Sequence, residues 1–323
     1  MIKLVTALLT VLAGIGFAVA LYFVLNKLAE LLPGRWEHRV KPYLFVAPAF
    51  LAIGVYLLYP ATATVIASFK DAAGVEWVGF DNYTDLFDDK DFVSVTLLNS
   101  LLWVIIVPAG TVVLGLVVAT LADRLGPRSE KLSKTIIFLP MAVSAIGAAV
   151  VWRFVYEAKP EVGLQNAAIG LLGRDPVSWL EQSGFRVNSM LLMLVLMWMQ
   201  AGFAMVLLSS AIKGVPAETL EAARIDGAGE RAIFFQVVLP QIKGTVITVF
   251  ITVTIAVMKI FDIVYVMTNG NYKTNVLANE FWNQLSTYFN NGKASAIVVL
   301  LMVAVLPILV YQVRHFRAEE AAR

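Results

Sequence analysis

Residues 216–240 read PAETLEAARIDGAGERAIFFQVVLP, one of the few well-charged segments of a very apolar chain. Pro216 suits the first turn of a helix, where a missing N–H costs nothing. Glu218 and Glu221 lie early in that helix and favour the positive end of its dipole, and Glu221 is placed to pair with Arg224 one turn later. The first half of the stretch therefore predicts a short helix.

The second half of the stretch predicts a break and another helix. Gly227 permits the positive φ that closes a helix, and Pro240 is expected to stop the second one. Because a helix of about ten residues is marginal alone in water, we expect this pair to lie against another surface.

The composition around this stretch is that of an integral membrane protein. Hydrophobic residues make up 59% of the 323 residues and charged residues 15%, whereas a soluble domain carries about 25% charged residues. The net charge of +2 gives no sign of a nucleic-acid partner. The chain has no cysteine, which excludes disulfides, thiol catalysis and cysteine-bound metals.

Charge-poor runs long enough to cross about 30 Å of hydrocarbon occur seven times. They are residues 4–25, 43–68, 92–122, 135–156, 187–212, 245–267 and 294–313. We therefore predict an all-α membrane protein of about seven spans, in which the two short helices join spans five and six. The expected organisation is an N-terminal span and linker over 1–42 and a six-span core over 43–323, with a connecting loop over 213–244.

The Lys and Arg residues of the loops predict the orientation of the chain. Fifteen lie on one side, within 27–41, 124–134, 213–243 and 314–323, and only eight lie in the opposite loops. This asymmetry places the 213–244 loop and the C-terminus in the cytoplasm and the N-terminus outside.

The same loop resembles a signature of the membrane subunits of ATP-binding-cassette importers. That signature reads E-A-A, three residues, G, nine residues, an aliphatic residue, one residue and L-P. It is matched here by Glu221, Ala222, Ala223, Gly227, Val237, Leu239 and Pro240. The whole chain is similar to the sugar-importer permeases of the maltose type, and 163–166 (GLQN) and 261–268 (FDIVYVMT) match two further family segments. The alternative is an ordinary amphipathic loop in which these fragments occur by chance.

The resemblance implies a coupling helix that docks on a nucleotide-hydrolysing subunit, with Asp226 beside the matched residues. It also implies two cytoplasmic ATP-binding subunits, a second permease subunit as heterodimer partner, an extracytoplasmic solute-binding protein and a bacterial or archaeal plasma membrane. The expected cargo is a sugar or oligosaccharide of the alpha-glucoside or disaccharide kind. The chain has no G-x-x-x-x-G-K-(S/T) loop, so we expect no nucleotide, other cofactor or metal bound to it and no catalytic residue.

Polar residues inside the spans are candidates for the translocation path. Lys259 and Asp262 lie three residues apart in the sixth predicted span, where a shared helix would let them pair. We expect Asp262 and Tyr265 to line the path, together with Lys259 and Gln200. The alternative is an ion pair that only locks helices together. The family usually has G-G-P where residues 270–272 read GNY, so the loop geometry does not transfer.

Two other functional classes remain open at the level of sequence. A secondary transporter working alone would use Lys259 and Asp262 as a proton or ion relay. A seven-helix sensory or light-driven protein would form a retinal Schiff base on Lys259. Neither class explains the pattern from Glu221 to Pro240.

Overall fold

The computed structural model describes residues 2–31 and 33–321, so Arg323, one of the fifteen cations used to orient the chain, lies outside it. Most of the described residues are helical, and strand-like pairing among them is limited to an isolated bridge between Lys70 and Trp77. The chain divides into two units, Met1–Ile66 and Ala67–Arg323.

The first unit consists of two long helices. One is Ile2–Glu30, and the other begins as Gly34–Ile53 and continues through a π-helical turn, Gly54–Leu58, into Tyr59–Ala67. Each is long and apolar enough to cross a membrane, which confirms the first two predicted spans. The wider turn ends two residues before Pro60, so the helix passes this proline without a break.

Three spans of the second unit are unbroken. Phe92–Ala122 has the bounds predicted for the third span, Val187–Lys213 contains the fifth, and Asn291–Arg314 contains the seventh. The last helix extends over Asn291–Ala321. With two bent helix pairs, the described residues provide up to seven spans, as the hydrophobic pattern predicts.

The fourth predicted span, 135–156, is not a single helix. Pro127–Ala142 and Ala145–Val155 meet at an angle of 105°. The break follows Pro140, which has no N–H to donate, and the chain is extended at Val143 (φ −82°, ψ 140°). The next helix starts afresh because the Ser144 side chain accepts a hydrogen bond from the Gly147 N–H.

The sixth predicted span, 245–267, is also interrupted. Its main helix is Lys243–Val257, which meets Glu230–Gln241 at 71°, and a separate short helix covers Asp262–Met267. Between the last two, Ile260 N–H donates to Val257 O, and Phe261 has φ −132° and ψ −55°. The expectation of one continuous helix through residue 267 is therefore wrong.

The core of the second unit forms where the third and fifth spans cross. Trp103 and Val107 of the third span are fully buried, as are Met193 and Met205 of the fifth. At Gly202, an added Cβ would lie 2.8 Å from Phe138 Cα and 2.7 Å from Ile137 O, so only glycine allows this approach of the fifth span to the fourth. Close complementarity of shape therefore stabilises the packing of these spans, in addition to the burial of apolar surface.

Short helices lie in the loops at the other end of these spans from the 213–244 loop. They are Asp81–Asp88, Leu164–Gly170, Trp179–Glu181, Gly184–Arg186 and Leu277–Ser286. The loop after the fourth span is organised by Asn166, which is fully buried. Its amide nitrogen donates to Glu157 O and Val177 O at 2.8 and 2.9 Å, and its oxygen accepts from Trp179 Nε1 at 3.1 Å.

Candidate functional site

The loop between the fifth and sixth spans contains two short helices, Ala217–Ile225 and Glu230–Gln241, which we call the helix pair. The first helix ends in a Schellman motif. Ala228 N–H donates to Ala223 O and Gly227 N–H donates to Arg224 O, both at 3.0 Å. Gly227 has φ +81°, which confirms its predicted left-handed conformation.

Pro240 lies inside the second helix rather than ending it. The helix widens into a π-helical turn over Ile233–Val238, in which Leu239 N–H donates to Phe234 O, and it ends one residue after the proline at Gln241. This wider turn accommodates a residue that has no N–H and whose ring would clash in a regular helix. The prediction that Pro240 stops the helix is therefore wrong by one residue.

The predicted pairing of Glu221 with Arg224 is wrong. Arg224 Nε instead contacts Glu230 Oε1 at 3.3 Å, an ion pair that links the last turn of the first helix to the first turn of the second. Both side chains are more than half exposed, so this link contributes at most about 1 kcal/mol. Glu221 is exposed and has no ion pair with any described residue.

The helix pair has a small hydrophobic core of its own. The buried residues are Val215, Ile233, Val238 and Ile242. Three of the signature residues, Ala223, Val237 and Leu239, pack against this core and so hold the element together. The same core contacts three spans, through Leu116 of the third, Ile212 of the fifth and Val246 of the sixth.

The remaining signature residues in and just after the first helix face outward, as does Asp226 beside them. Glu221, Ala222, Asp226 and Gly227 are all exposed. Beside them, Ile225 is 85% exposed, although it is an aliphatic residue within a well-packed element. Sequence reasoning missed Ile225, and its position between the alanine pair and Gly227 was the only signal for it.

A second feature that the sequence reasoning missed is an ionic cluster beside the helix pair. Lys134 Nζ lies 3.0 Å from Asp123 Oδ1 and 2.6 Å from Glu130 Oε1, and Lys213 also pairs with Glu130. Ser209 donates to Asp123 at 3.1 Å. The cluster ties the ends of the third and fifth spans to the helix that begins the fourth. The spacing of Glu130 and Lys134, one helical turn apart, was a signal available in the sequence.

The predicted pair Lys259–Asp262 is absent from the ion pairs of the described residues. The break between Val257 and Asp262 separates the two side chains, because they no longer share the register of one helix. Lys259 is exposed and Asp262 is half-buried as the first residue of its short helix. The ion-pair interpretation of these two residues is therefore wrong.

The remaining predicted path residues lie in two settings. The Tyr265 ring stacks on the Phe261 ring with their centroids 4.9 Å apart. The Phe261 ring also lies edge-on to the Trp282 ring, with a distance of 6.0 Å between centroids. Phe261, Trp282 and Lys259 all line an apolar groove of about 560 Å³. Gln200 is half-buried on the fifth span, and its side chain makes no hydrogen bond with the described residues.

The turn after the short helix Asp262–Met267 is strained and firmly held. Asn269, Tyr272 and Lys273 all have positive φ, of 51°, 54° and 62°. Asn188, which is buried, donates to Tyr272 O at 2.7 Å. The Tyr272 hydroxyl donates to Glu181 at 3.2 Å, and this neighbouring carboxylate raises the pKa of Tyr272. The helix pair and this turn are thus both held in irregular conformations by specific hydrogen bonds.

Comparison with known proteins identifies the class to which this architecture belongs. The model of the family "Binding-protein-dependent transport system inner membrane component" matches residues 111–316, which include the helix pair and the last four spans. The chain belongs to this family. It is therefore a multi-pass membrane subunit of a binding-protein-dependent transport system.

Two curated relatives extend this similarity along the chain. The alpha-glucoside transport system permease protein AglF of Rhizobium meliloti is 38% identical, over 98% of each protein. The osmoprotective compounds uptake permease protein GgtC of Synechocystis is 42% identical, over 87% of this chain and 100% of that protein.

A solved structure supports the fold. One chain of a bacterial ABC transporter involved in the import of the acidic polysaccharide alginate has a TM-score of 0.74 to this structure. The match covers 88% of this chain and 99% of that one, with 20% sequence identity.

Proposed function

We propose that this chain is a membrane-spanning subunit of an ATP-driven importer. In this proposal the helix pair lies in the cytoplasm and docks on one of two ATP-binding subunits. A second permease subunit completes the translocation path as a heterodimer, and an extracytoplasmic binding protein delivers the solute. The chain itself performs no catalysis and resides in the plasma membrane of a bacterium or archaeon.

The observation that carries this proposal is that the helix pair has both inward-packed residues and an exposed face. Ala223 and Leu239 pack inward and make the element rigid, whereas Glu221, Ala222 and Ile225 form an exposed face. An exposed aliphatic residue beside a small residue and a carboxylate is suited to a protein partner, because burying Ile225 removes apolar surface from water. The small Ala222 lets a partner approach the helix closely.

The connection of this element to the spans suggests how it transmits motion. Its core contacts the third, fifth and sixth spans at once, through Leu116, Ile212 and Val246. A partner that binds the exposed face differently in its ATP-bound and ATP-free states shifts the balance between two arrangements of these spans. A rigid element is required, since a flexible loop would absorb the displacement.

A sugar or short oligosaccharide is the proposed cargo. Its support is the similarity to an alpha-glucoside permease over nearly the whole chain, and relatives named for lactose and arabinooligosaccharide transport at 27% identity. Lys259, Tyr265, Asp262 and Gln200 are retained as proposed residues of the path. The absence of the Lys259–Asp262 pair from the described ion pairs removes the relay on which the stand-alone transporter depended.

The test uses Glu221→Lys, which reverses the charge of the exposed face. Since Glu221 has no ion pair within the described residues, the variant is expected to insert normally but to lose ATP-driven uptake and to co-purify poorly with ATP-binding subunits. Thr219→Lys, an exposed position on the other side of the same helix, is the matched control. Normal uptake by Glu221→Lys would contradict the proposal, as would gradient-driven uptake by the chain reconstituted alone.

A further inference from the structure

A polar cleft lies at the other end of the spans from the helix pair. It is bounded by the start of the third span, the strained turn after Met267 and the short helix Leu277–Ser286. Its volume is about 550 Å³. Sites for small molecules are typically about 300–1,000 Å³, so the polar cleft has room for a solute rather than for water alone.

The lining of the polar cleft combines charges of both signs with uncharged polar groups. Three carboxylates face two ammonium groups, and amide side chains and one tyrosine complete the surface: Asp89, Asp91, Glu280, Lys273, Lys293 and Tyr288. This nearly balanced charge gives little selectivity for an ion. Many closely spaced donors and acceptors beside an aromatic ring suit instead a neutral molecule with several hydroxyl groups.

Part of this lining is preorganised. Glu280 accepts from Asn275 Nδ2 at 2.6 Å and from Gln284 Nε2 at 2.8 Å, so its carboxylate is fixed but keeps further acceptor capacity. Lys293 pairs with Asp85 at 2.9 Å. Other groups have no partner among the described residues, namely the Lys273 ammonium, the Tyr288 hydroxyl and the Asp91 carboxylate. The polar cleft thus presents both fixed and open hydrogen-bonding groups.

Backbone strain is an independent observation at the same place. Lys273, a lining residue, is held at φ +62°, a conformation that ordinary side chains avoid. Asn99, fully buried, maintains this turn by donating to Lys273 O at 2.8 Å and to Asn275 O at 3.0 Å. Strain that the surrounding structure maintains is concentrated at ligand clamps and other functional sites.

We propose that the polar cleft binds a neutral polyhydroxylated solute, a sugar or polyol, before it enters the spans. This inference rests on the proposed function for its biological meaning, but binding to the polar cleft is measurable by itself. The apolar groove around Phe261 and Trp282 is a poor alternative for hydroxyl groups, because among the described residues its lining has one charged side chain, Lys259.

Saturation-transfer NMR on the full chain in lipid nanodiscs tests the proposal, since the method detects weak binding. The probes are maltose, trehalose and sucrose, each at millimolar concentration, with glucose 6-phosphate as the anionic comparison. At least one neutral disaccharide is expected to show saturation transfer and the anion much less. Tyr288→Ala and Asp91→Asn should each weaken the affinity roughly tenfold, the effect of losing a hydrogen bond that involves a charged or well-placed group.

Matched controls lie next to the lining residues. Phe289→Ala removes a neighbouring, also exposed aromatic ring that does not line the polar cleft, and Asp88→Asn neutralises a nearby exposed carboxylate outside it. Both should leave binding unchanged. Lys273→Gly should weaken binding without lowering the melting temperature, because glycine relieves the positive φ.

Three results would overturn the proposal: no saturation transfer from any neutral disaccharide, stronger transfer from glucose 6-phosphate, or equal losses in the control variants. None of these results tests the role of the helix pair. Conversely, a negative outcome of the uptake test would not change the binding data, so failure of the proposed function and failure of the polar-cleft proposal are distinguishable.

Discussion

The backbone N–H of Ala228 donates to the carbonyl oxygen of Ala223 across 3.0 Å. This bond spans the left-handed residue Gly227 and closes the first helix of the pair. It gives a physical reason for the four-residue separation of Ala223 and Gly227, since these are the C3 and C′ positions of one Schellman motif. The spacing of Ala223 and Gly227 that resembles a family signature is thus also the spacing that a Schellman motif requires.

Gly227 is expected to tolerate asparagine far better than valine. An added Cβ at this position meets no atom within 4 Å, so the cost of substitution comes from φ +81° alone. Asparagine visits this region readily, whereas a β-branched residue is expected to cost about 1–2 kcal/mol. Uptake normalised to protein level should therefore be largely kept in Gly227→Asn and mostly lost in Gly227→Val. Equal losses in both would show that a partner needs the bare backbone there.

Lys134 is expected to contribute more to stability than any other cation near the helix pair. Replacing it with methionine leaves the Asp123 and Glu130 carboxylates with only the more exposed Lys213 ammonium as a shared partner. Because both carboxylates are only about one-fifth exposed, we expect a loss of about 1–3 kcal/mol in unfolding free energy. Thermal unfolding in detergent measures this effect. Lys131→Met, on the same helix but exposed and outside the ionic cluster, is the control. An equal drop in melting temperature for both variants would contradict the stabilising role assigned to Lys134.

Much of the fold could be predicted because length and hydrophobicity dominate the energetics of a membrane span. The third span was predicted as 92–122 and is found as Phe92–Ala122. Gly227 was predicted to be left-handed because a break between two charged helical segments requires such a residue. In both cases a local property of the sequence was sufficient.

The predictions that were wrong share one cause, because each depended on tertiary structure that the local sequence does not reveal. The break at Val143 and the one before Asp262 interrupt segments that carry at most two charged residues each, so a count of hydrophobic residues does not reveal them. The pairing of Lys259 with Asp262 was inferred from a helix that is absent there. Arg224 pairs with Glu230 because the Schellman turn brings the second helix back toward it. The docking role of the helix pair and the path residues remain predictions.

Gly202 is expected to tolerate no side chain. A Cβ at this position would meet Ile137 O and Phe138 Cα, both backbone atoms that cannot rotate away. Gly202→Ala should therefore push the fourth and fifth spans apart and cost about 1–3 kcal/mol, as overpacking does in other cores. Gly229→Ala is the matched control, because that position has φ −71° and nothing within 4 Å of an added Cβ. If the two variants melted at the same temperature, the inference that the fourth and fifth spans approach closely at Gly202 would be wrong.

Asn166 is expected to control the order of the loop after the fourth span. Its amide group donates to the carbonyl oxygens of Glu157 and Val177, and an aspartate at this position would present them with a carboxylate that cannot donate. We expect Asn166→Asp to cost about 1–3 kcal/mol locally, which raises the population of the opened loop roughly tenfold or more.

Trypsin measures this opening directly, since Lys159 and Arg174 lie within the loop. Cleavage at these two sites in the purified protein should accelerate by about the same factor as the opened population, because proteolysis follows local opening when reclosing is fast. Ala167→Asp places the same charge one residue later on an exposed position and should leave the rate unchanged. Faster cleavage in Ala167→Asp than in Asn166→Asp would mean that added charge, rather than the lost amide donors, opens the loop.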